Sequence, residues 1–137
     1  MSTVRDAMVS NPGQLPADAS AQAAGELFQR PEVRAVYVTE DEKLVGVVTR
    51  KTLVREVIAQ GSDPTTTELG AIAEMPDFTI GPDVPLEEAF RFLETEDVER
   101  VPVVDANHRL IGVLSRSVLQ RRLAEDETEP DELPADV

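Results

Sequence analysis

Side chains that bind anions recur at matching points of this sequence, 66 residues apart. In each half of the chain an arginine precedes a valine-rich stretch, and a hydroxyl residue followed by a basic one comes shortly after it. In a chain of net negative charge, such local basic groups are the ones able to hold an anion such as a phosphate. The residues are Arg34, Thr49, Arg50 and Lys51 in the first half, and Arg100, Ser115 and Arg116 in the second.

Each of these residues also has an explanation that involves no ligand. The hydroxyl residues stand where helix N-caps are expected, whatever the chain binds. The arginines ahead of the valine-rich stretches could pair with neighbouring carboxylates, Glu32 and Glu99. The arginines that follow the hydroxyl residues could lie on solvated helix faces. The residues alone leave these alternatives open.

The charge balance bears on which partners are possible. The 137 residues include 13 basic and 27 acidic side chains, a net charge of −14. Seven acidic residues follow Arg122, and the rest of the chain has 13 basic and 20 acidic residues, a net charge of about −7. A field of that sign repels a phosphate backbone, so nucleic-acid binding is not expected. The acidic segment 125–137 is predicted to be a disordered tail.

The composition also argues against several kinds of site. The chain has no cysteine, and therefore no disulfide and no thiolate metal site. Its single histidine, His108, has no serine or carboxylate at a spacing typical of a triad, and neither a glycine-rich phosphate loop nor a metal-binding motif occurs. No apolar run is long enough to cross a membrane, and the N-terminal residues do not resemble a secretory leader. We expect a cytoplasmic protein that is not an enzyme and has no metal site or membrane partner.

The chain contains two copies of one unit. The segment Arg34-Ala-Val-Tyr-Val-Thr aligns with Arg100-Val-Pro-Val-Val-Asp, and Lys43-Leu-Val-Gly-Val-Val-Thr-Arg aligns with Arg109-Leu-Ile-Gly-Val-Leu-Ser-Arg. No gap is needed from about Gly13 to Val57. Chance similarity would not keep glycine, proline, arginine and the apolar positions in step for so long.

Each copy predicts the order strand, helix, strand, strand, helix. A short extended piece, Gln14-Leu15 or Phe78-Thr79-Ile80, leads through a proline and a capping aspartate, Asp18 or Asp83, into an amphipathic helix. Two strands joined by a polar turn follow, and the hydroxyl residue then opens the second helix. A unit of about 55 residues buries too little surface to be stable alone. We therefore predict an α/β (α+β) fold of two β-α-β-β-α units that pack through their sheets with pseudo-twofold symmetry. The predicted strands are 34–39, 44–49, 100–105 and 109–115.

This duplicated pattern resembles a tandem pair of cystathionine-β-synthase (CBS) domains. The likeness is carried by Val101-Pro-Val-Val-Asp105, by Leu110-Ile-Gly-Val-Leu-Ser-Arg116 with its partner Leu44-Val-Gly-Val-Val-Thr-Arg50, and by the lead-in Val4-Arg-Asp-Ala-Met8. It covers about residues 3 to 123. The domain organisation we expect is a first CBS repeat over 1–60, a linker over 61–67, a second repeat over 68–124, and the acidic tail.

The resemblance implies a regulatory function, that of a Bateman module with two clefts between its repeats. Members of the family commonly bind AMP, ADP, ATP or S-adenosylmethionine in these clefts, as regulatory ligands and not as required cofactors. Two modules frequently pair, so a homodimer is expected. Such modules usually regulate an attached enzyme or channel. None is present in this sequence, so we expect a stand-alone module that modulates an unknown protein partner.

The family pattern of a ligand-binding cleft is kept only in part. Binding members have Gly-x-x-Thr/Ser-x-x-Asp, in which the hydroxyl faces the sugar and phosphates and the aspartate accepts hydrogen bonds from both ribose hydroxyls. Thr52 and Val118 stand where the two aspartates belong. Thr52 can still offer one hydroxyl and Val118 offers none, so the second copy is expected to bind adenosine poorly. A Thr52→Asp change is expected to strengthen ribose binding if the cleft is open. The candidate ligand-binding residues are Gln14, Arg34, Val47, Thr49, Arg50, Thr52, Thr79, Ile80, Arg100, Val113, Ser115 and Arg116.

Two hypotheses compete with a nucleotide sensor. In one, the chain is a ligand-free dimerisation or scaffold module whose clefts are filled by Val118 and its neighbours. In the other, it is a nucleic-acid or stress-associated binder, and the charge of −14 disfavours the binding of nucleic acid.

Overall fold

The helices and strands of the first half follow the predicted order. The computed structural model describes residues 2–10 and 12–127. A short helix and strand precede the first repeat of the β-α-β-β-α pattern, whose last helix ends in a π-helical turn. The elements are α1 (Val4–Ala7), β1 (Val9–Ser10), β2 (Gln14–Pro16), α2 (Ala21–Leu27), β3 (Val36–Glu40), β4 (Lys43–Val48), α3 (Arg50–Leu53) and the π-helical turn (Val54–Ile58).

The second half repeats this order, except that isolated bridges at Glu74 and Ile80 stand where the first half has β1 and β2. Its elements are α4 (Leu69–Ile72), α5 (Leu86–Glu96), β5 (Arg100–Val104), β6 (Leu110–Ser115) and α6 (Arg116–Glu127). Every predicted strand lies within two residues of an observed one. Helix α6 includes the first three residues of the predicted acidic tail, and the rest of that tail, 128–137, lies outside the described residues.

The starts of α2 and α5 differ from the prediction. The predicted N-caps Asp18 and Asp83 are wrong, because the chain runs two residues further in each copy before the helix begins. Ser20 caps α2, accepting a hydrogen bond of 3.1 Å from the amide of Ala23, and Pro85 precedes α5.

Each half contains a three-stranded sheet. One has the order β2-β3-β4 and the other β1-β6-β5. The pairs β3–β4 and β5–β6 are antiparallel hairpins, and β2 runs parallel to β3. Ile80 bridges to Val103 in the second half as Gln14 pairs with Tyr37 in the first, so the register repeats as well as the order. The duplicated α/β fold is therefore confirmed.

The two halves meet about a pseudo-twofold axis at their hairpins. Lys43 and Arg109 occupy the same position in the two copies, and they form an antiparallel bridge with each other. Main-chain hydrogen bonds of 3.1 and 3.3 Å, one in each direction, flank this bridge. Beyond it the sheets pack through an apolar cluster, as predicted. Its buried members are Tyr37, Leu44, Val104 and Val113.

The lead-in segment of each copy packs on the other half of the molecule. Val4 of α1 is fully buried in the core of the second half, and its amide donates to the carbonyl of Val84 at 2.9 Å. Leu69 of α4 is likewise buried in the core of the first half, and its amide donates to the carbonyl of Ala19 at 2.9 Å. Each packed half thus combines one β-α-β-β-α unit with the lead-in of the other copy.

A glycine in the last strand of each half allows the lead-in to cross it closely. A Cβ at Gly46 would lie 2.6 Å from the Cβ of Ala73, and a Cβ at Gly112 would lie 2.6 Å from the Sδ of Met8. Real Cβ atoms essentially never approach so closely. The absence of a side chain at these glycines lets the next residue of each lead-in lie beside the helix that follows the strand. These residues are Glu74 at α3 and Val9 at α6.

Candidate functional site

A cleft of about 410 Å³ lies between the two halves, beside the start of α3. We call it the first cleft. Its size is within the range of small-molecule sites, and both halves contribute to its walls. The lining residues are Arg34, Ala35, Tyr37, Val47 and Thr49 on one side, and Glu74, Met75, Pro76, Asp77, Phe78, Val98, Arg100 and Pro102 on the other.

A second cleft of about 330 Å³ is the pseudo-twofold counterpart of the first, at the start of α6. It is lined by Val9, Pro12, Gly13, Glu32, Val33, Arg34, Ala35, Tyr37, Arg100, Val113, Ser115 and Val118. Four residues belong to both clefts, which therefore share one wall. They are Arg34, Ala35, Tyr37 and Arg100.

The two arginines of the shared wall have no anionic partner among the described residues. Neither Arg34 nor Arg100 forms an ion pair or a side-chain hydrogen bond with any of residues 2–10 and 12–127. The suggested partner Glu99 instead accepts a hydrogen bond of 3.1 Å from Ser117. The alternative explanation, pairing with neighbouring carboxylates, therefore does not apply to these side chains.

Tyr37 belongs to the same wall and is almost completely buried, with 5% of its surface exposed. Burial raises the pKa of its phenol above the ordinary value, and the nearby guanidinium of Arg100 acts in the opposite direction. The phenol is therefore protonated at neutral pH, and its hydroxyl can donate a hydrogen bond.

Thr49 and Ser115 cap the helices at the two cleft mouths, as predicted. The amide of Thr52 donates to the Thr49 hydroxyl at 3.3 Å, and the amide of Val118 donates to the Ser115 hydroxyl at 3.2 Å. Both residues also line their clefts. The structure thus brings together Arg34, Val47, Thr49 and Arg100 in the first cleft, and Arg34, Arg100, Val113 and Ser115 in the second.

Thr52 does not line the first cleft. It is fully buried, and its hydroxyl donates to Oε2 of Glu74 at 3.0 Å and accepts from the amide of Thr49 at 3.0 Å. The same Oε2 lies 2.9 Å from Nη2 of Arg55. The contact with Arg55 lowers the pKa of the Glu74 carboxyl most, and the contact with Thr52 lowers it further. Glu74 was not predicted, yet it places a carboxylate in the cleft beside Thr52.

The second cleft has an apolar pair where the first has this polar pair. Val9 pairs with Val113 of β6 as Glu74 pairs with Val47 of β4. Val118, at the position equivalent to Thr52, is only partly buried and lines the second cleft. The two clefts therefore share one wall and differ in the chemistry of the residues at the helix mouth.

Arg50 does not enter either cleft. Its guanidinium donates to three main-chain carbonyls behind α3, those of Val33 at 2.9 Å, Phe28 at 2.6 Å and Arg30 at 3.0 Å. It also lies 4.9 Å from the centroid of the Phe28 ring. The side chain fixes the end of α2 and the loop that follows, and it does not line either cleft.

Arg116 has the equivalent position in the second half. Its Nη1 lies 3.3 Å from Asp97 and 3.5 Å from the carbonyl of Leu93, and its Nε lies 3.8 Å from Glu99. Neither this residue nor Arg50 is on a purely solvated helix face, and neither reaches the shared wall.

The predicted adenine contacts, Gln14, Thr79 and Ile80, do not line the two clefts. Thr79 and Ile80 line a separate depression beside Val104. Pro12 and Phe78, which occupy the same position in the two copies, line the clefts in their place. The chain crosses each cleft at these residues, just before it pairs in parallel with the next strand.

The described part of the chain holds no group of three or more histidine, aspartate or glutamate side chains arranged for a metal ion. Within residues 2–10 and 12–127, no helix combines the length and the apolar character that a membrane span requires.

Comparison with known families decides what this two-cleft architecture is. The sequence profile of the CBS domain matches residues 4–59 and again residues 69–125. The chain belongs to the CBS domain family. The predicted resemblance is confirmed, and the two halves are a CBS pair.

Individual relatives agree with this assignment. Hypoxic response protein 1 of Mycobacterium tuberculosis is 27% identical over 126 residues, which cover 91% of this chain and 87% of that protein. An uncharacterised Methanopyrus kandleri protein is 27% identical over 106 residues, and the match spans 54% of its length. Among solved structures, CBSX2 of Arabidopsis thaliana in complex with AMP is 27% identical, with a TM-score of 0.75 over 93% of this chain and 99% of that chain.

Proposed function

We propose that this CBS pair is a regulatory module that binds an adenine nucleotide in the first cleft and thereby modulates a protein partner. The observation that carries the proposal is the shared wall, in which Arg34 and Arg100 face a cleft and have no anionic partner among the described residues. In a chain of net charge −14, two unpaired arginines at one cleft favour a ligand that brings its own negative charge.

The rest of the first cleft fits a nucleoside. Phe78 is fixed edge-to-face against Phe92, with ring centroids 5.2 Å apart, and together with Val98 it offers an apolar surface for a planar base. Met75 stands at the cleft mouth and is 72% exposed. The binding of AMP by the related CBSX2 makes an adenine the base we propose.

The arginines also favour nucleotides over S-adenosylmethionine. AMP, ADP and ATP present phosphates, which guanidinium groups bind by charge-assisted hydrogen bonds. S-adenosylmethionine presents a sulfonium cation next to its ribose and only one carboxylate, so it offers Arg34 and Arg100 less negative charge than a phosphate does. We therefore propose the phosphate-bearing members of the adenosyl class.

A ligand in the first cleft would connect the two halves of the module. One arginine of the shared wall comes from each half, so a bound phosphate draws the halves together at the pseudo-twofold axis. Such a ligand regulates a partner only if it binds two arrangements of the halves with different affinity. The second cleft shares the arginines and has Val9 and Val118 in place of polar groups, so we propose one nucleotide per chain.

Titration calorimetry of the wild-type chain with AMP, ATP and S-adenosylmethionine tests this proposal. We expect saturable heat with the two nucleotides at one site per chain, a rise in Tm with nucleotide concentration, and weaker binding of S-adenosylmethionine. Absence of heat and of any rise in Tm at millimolar AMP and ATP would contradict the proposed function. It would favour the ligand-free scaffold instead.

We also propose that the chain forms a homodimer through the outer face of α2 and the π-helical turn. Val54 and Ile58 are 54% and 71% exposed there, beside a groove of about 460 Å³. Exposed aliphatic side chains next to a groove are typical of protein contacts. Analytical ultracentrifugation is expected to give a dimer for the wild type and a monomer for Ile58→Glu. A monomeric wild type would contradict the proposal.

A further inference from the structure

We infer that Glu74 is the residue that recognises the ribose hydroxyls of the nucleotide in the first cleft, so that this cleft selects ribonucleotides over 2′-deoxyribonucleotides. The inference rests on the proposed function. Glu74 lies outside the sequence motif that places the hydroxyl and the aspartate of the family pattern. It comes from the lead-in that crosses from the other copy, and not from the strand-to-helix segment on which the family pattern rests.

The main chain fixes where Glu74 stands. Its amide and carbonyl pair with the carbonyl and amide of Val47, at 2.9 and 2.8 Å. This bridge holds Glu74 beside Val47, near the end of β4, and Val47 is two residues before the helix cap Thr49. A residue so placed has its Cα held by the sheet, and only its side chain is free to meet a ligand.

One carboxylate oxygen of Glu74 is engaged by the protein and the other is not. Oε2 accepts from the Thr52 hydroxyl at 3.0 Å and from Arg55 at 2.9 Å, whereas Oε1 receives no hydrogen bond from residues 2–10 and 12–127. The side chain is 50% exposed and lines the cleft. The arrangement orients the carboxylate and leaves Oε1 able to accept a hydrogen bond from a ligand in the cleft.

The chemistry of this carboxylate suits a vicinal diol. The contact with Arg55 lowers the pKa of Glu74 most, and the contact with Thr52 lowers it further. The carboxyl group is therefore ionised at neutral pH. An ionised carboxylate accepts hydrogen bonds from hydroxyl groups more strongly than a neutral amide does. Arg34, Arg100, Thr49 and Glu74 line the same cleft, and we place the phosphate at the two arginines and the ribose beside Glu74 at the helix mouth.

The ion pair with Arg55 does not by itself explain the position of Glu74. Arg55 is 51% exposed and also pairs with Glu56 at 3.0 Å. Exposed ion pairs of this kind contribute little to stability. The buried contact is the one with Thr52, whose hydroxyl has no solvent exposure and donates towards the cleft.

The experiment compares AMP with 2′-deoxy-AMP by titration calorimetry, in the wild type, in Glu74→Gln and in Asp77→Asn. Asp77 lines the same cleft and has no hydrogen bond or ion pair with the described residues, so its variant removes the same charge at the same site. We expect the wild type to bind AMP about tenfold more tightly than 2′-deoxy-AMP, one charge-assisted hydrogen bond being lost. In Glu74→Gln this ratio is expected to fall towards one, and in Asp77→Asn it is expected to stay as in the wild type.

Thr52→Val separates orientation from charge. It removes the hydroxyl that holds Oε2 and keeps the carboxylate, so the ratio is expected to fall less than in Glu74→Gln. Thermal unfolding of each variant without ligand identifies any that fails to fold. A wild-type ratio that persists in folded Glu74→Gln would overturn the role of Glu74 and leave the proposed function standing. Failure of the wild type to bind AMP at all would overturn both.

Discussion

The double variant Arg34→Gln, Arg100→Gln is expected to bind AMP about 100-fold more weakly than the wild type. Each guanidinium contributes about one charge-assisted hydrogen bond to the phosphate, and each such bond is worth roughly tenfold in affinity in a solvated cleft. Neither side chain has an ion pair or a side-chain hydrogen bond with a described residue, so their loss breaks no such contact there. The Tm of the unliganded variant is expected to match that of the wild type. Calorimetry and thermal unfolding measure the two quantities on the same sample.

The matched control for this variant is Arg5→Gln with Arg91→Gln. Both arginines are exposed and lie outside the clefts, and the double change alters the net charge equally. We expect the control to keep its affinity for AMP, apart from a small loss of long-range attraction that disappears with salt. An equal loss in both double variants would contradict a direct contact, as would undiminished binding without Arg34 and Arg100.

Arg50→Ala is expected to have the opposite effect, a loss of stability without a loss of affinity. The guanidinium donates three hydrogen bonds to carbonyls at the end of α2 and packs against Phe28. Because the side chain is partly exposed, we expect the free energy of unfolding to fall by about 2 kcal/mol and not by the full sum of the three bonds. Chemical denaturation measures this fall, and calorimetry with AMP is expected to give the wild-type affinity.

Lys51→Ala is the control for Arg50→Ala. Lys51 is the next residue of the same helix, is exposed, and has no side-chain hydrogen bond or ion pair with the described residues. Its replacement is expected to change stability by less than about 0.5 kcal/mol. If Arg50→Ala kept full stability and lost affinity for AMP, the assignment of Arg50 to the structure and not to the ligand would be refuted.

Local patterns in the sequence were enough to predict the four strands of the two hairpins and the helix starts at Thr49 and Ser115, but not the starts of α2 and α5. The strands follow from runs of valine bounded by polar turns, and the caps Thr49 and Ser115 satisfy amides within their own helices. The pairing of the two halves follows from the duplication, since one unit alone buries too little surface. These features depend on residues close together in the chain or on the repeat itself.

The crossing of the lead-ins could not be read from periodicity, because it is decided by which half offers the better burial. The available signal is slight. Val4 and Leu69, both fully buried, align at a spacing of 65 and not 66, and this alignment places Glu74 opposite Val9. Without the crossing, the contact between Thr52 and Glu74 cannot be foreseen.

The burial of Thr52 changes what its replacement would mean. The sequence alone predicts that Thr52→Asp strengthens ribose binding if the cleft is open and has no effect if it is filled. In the structure an aspartate there would place a second carboxylate next to that of Glu74, in a position without solvent exposure. The substitution would therefore perturb the orientation of Glu74 and no longer reports on an open cleft.

The most direct measurement of the central claim is a titration of the ¹⁵N-labelled wild-type chain with AMP, followed by amide chemical shifts. Binding in the first cleft predicts changes that saturate and that concentrate at Thr49, Thr52, Glu74 and Phe78, with Val9 and Val118 little affected. Changes centred on the apolar cleft, or an unaltered spectrum at millimolar AMP, would contradict the claim that the shared arginines and the polar cleft beside them form a nucleotide site.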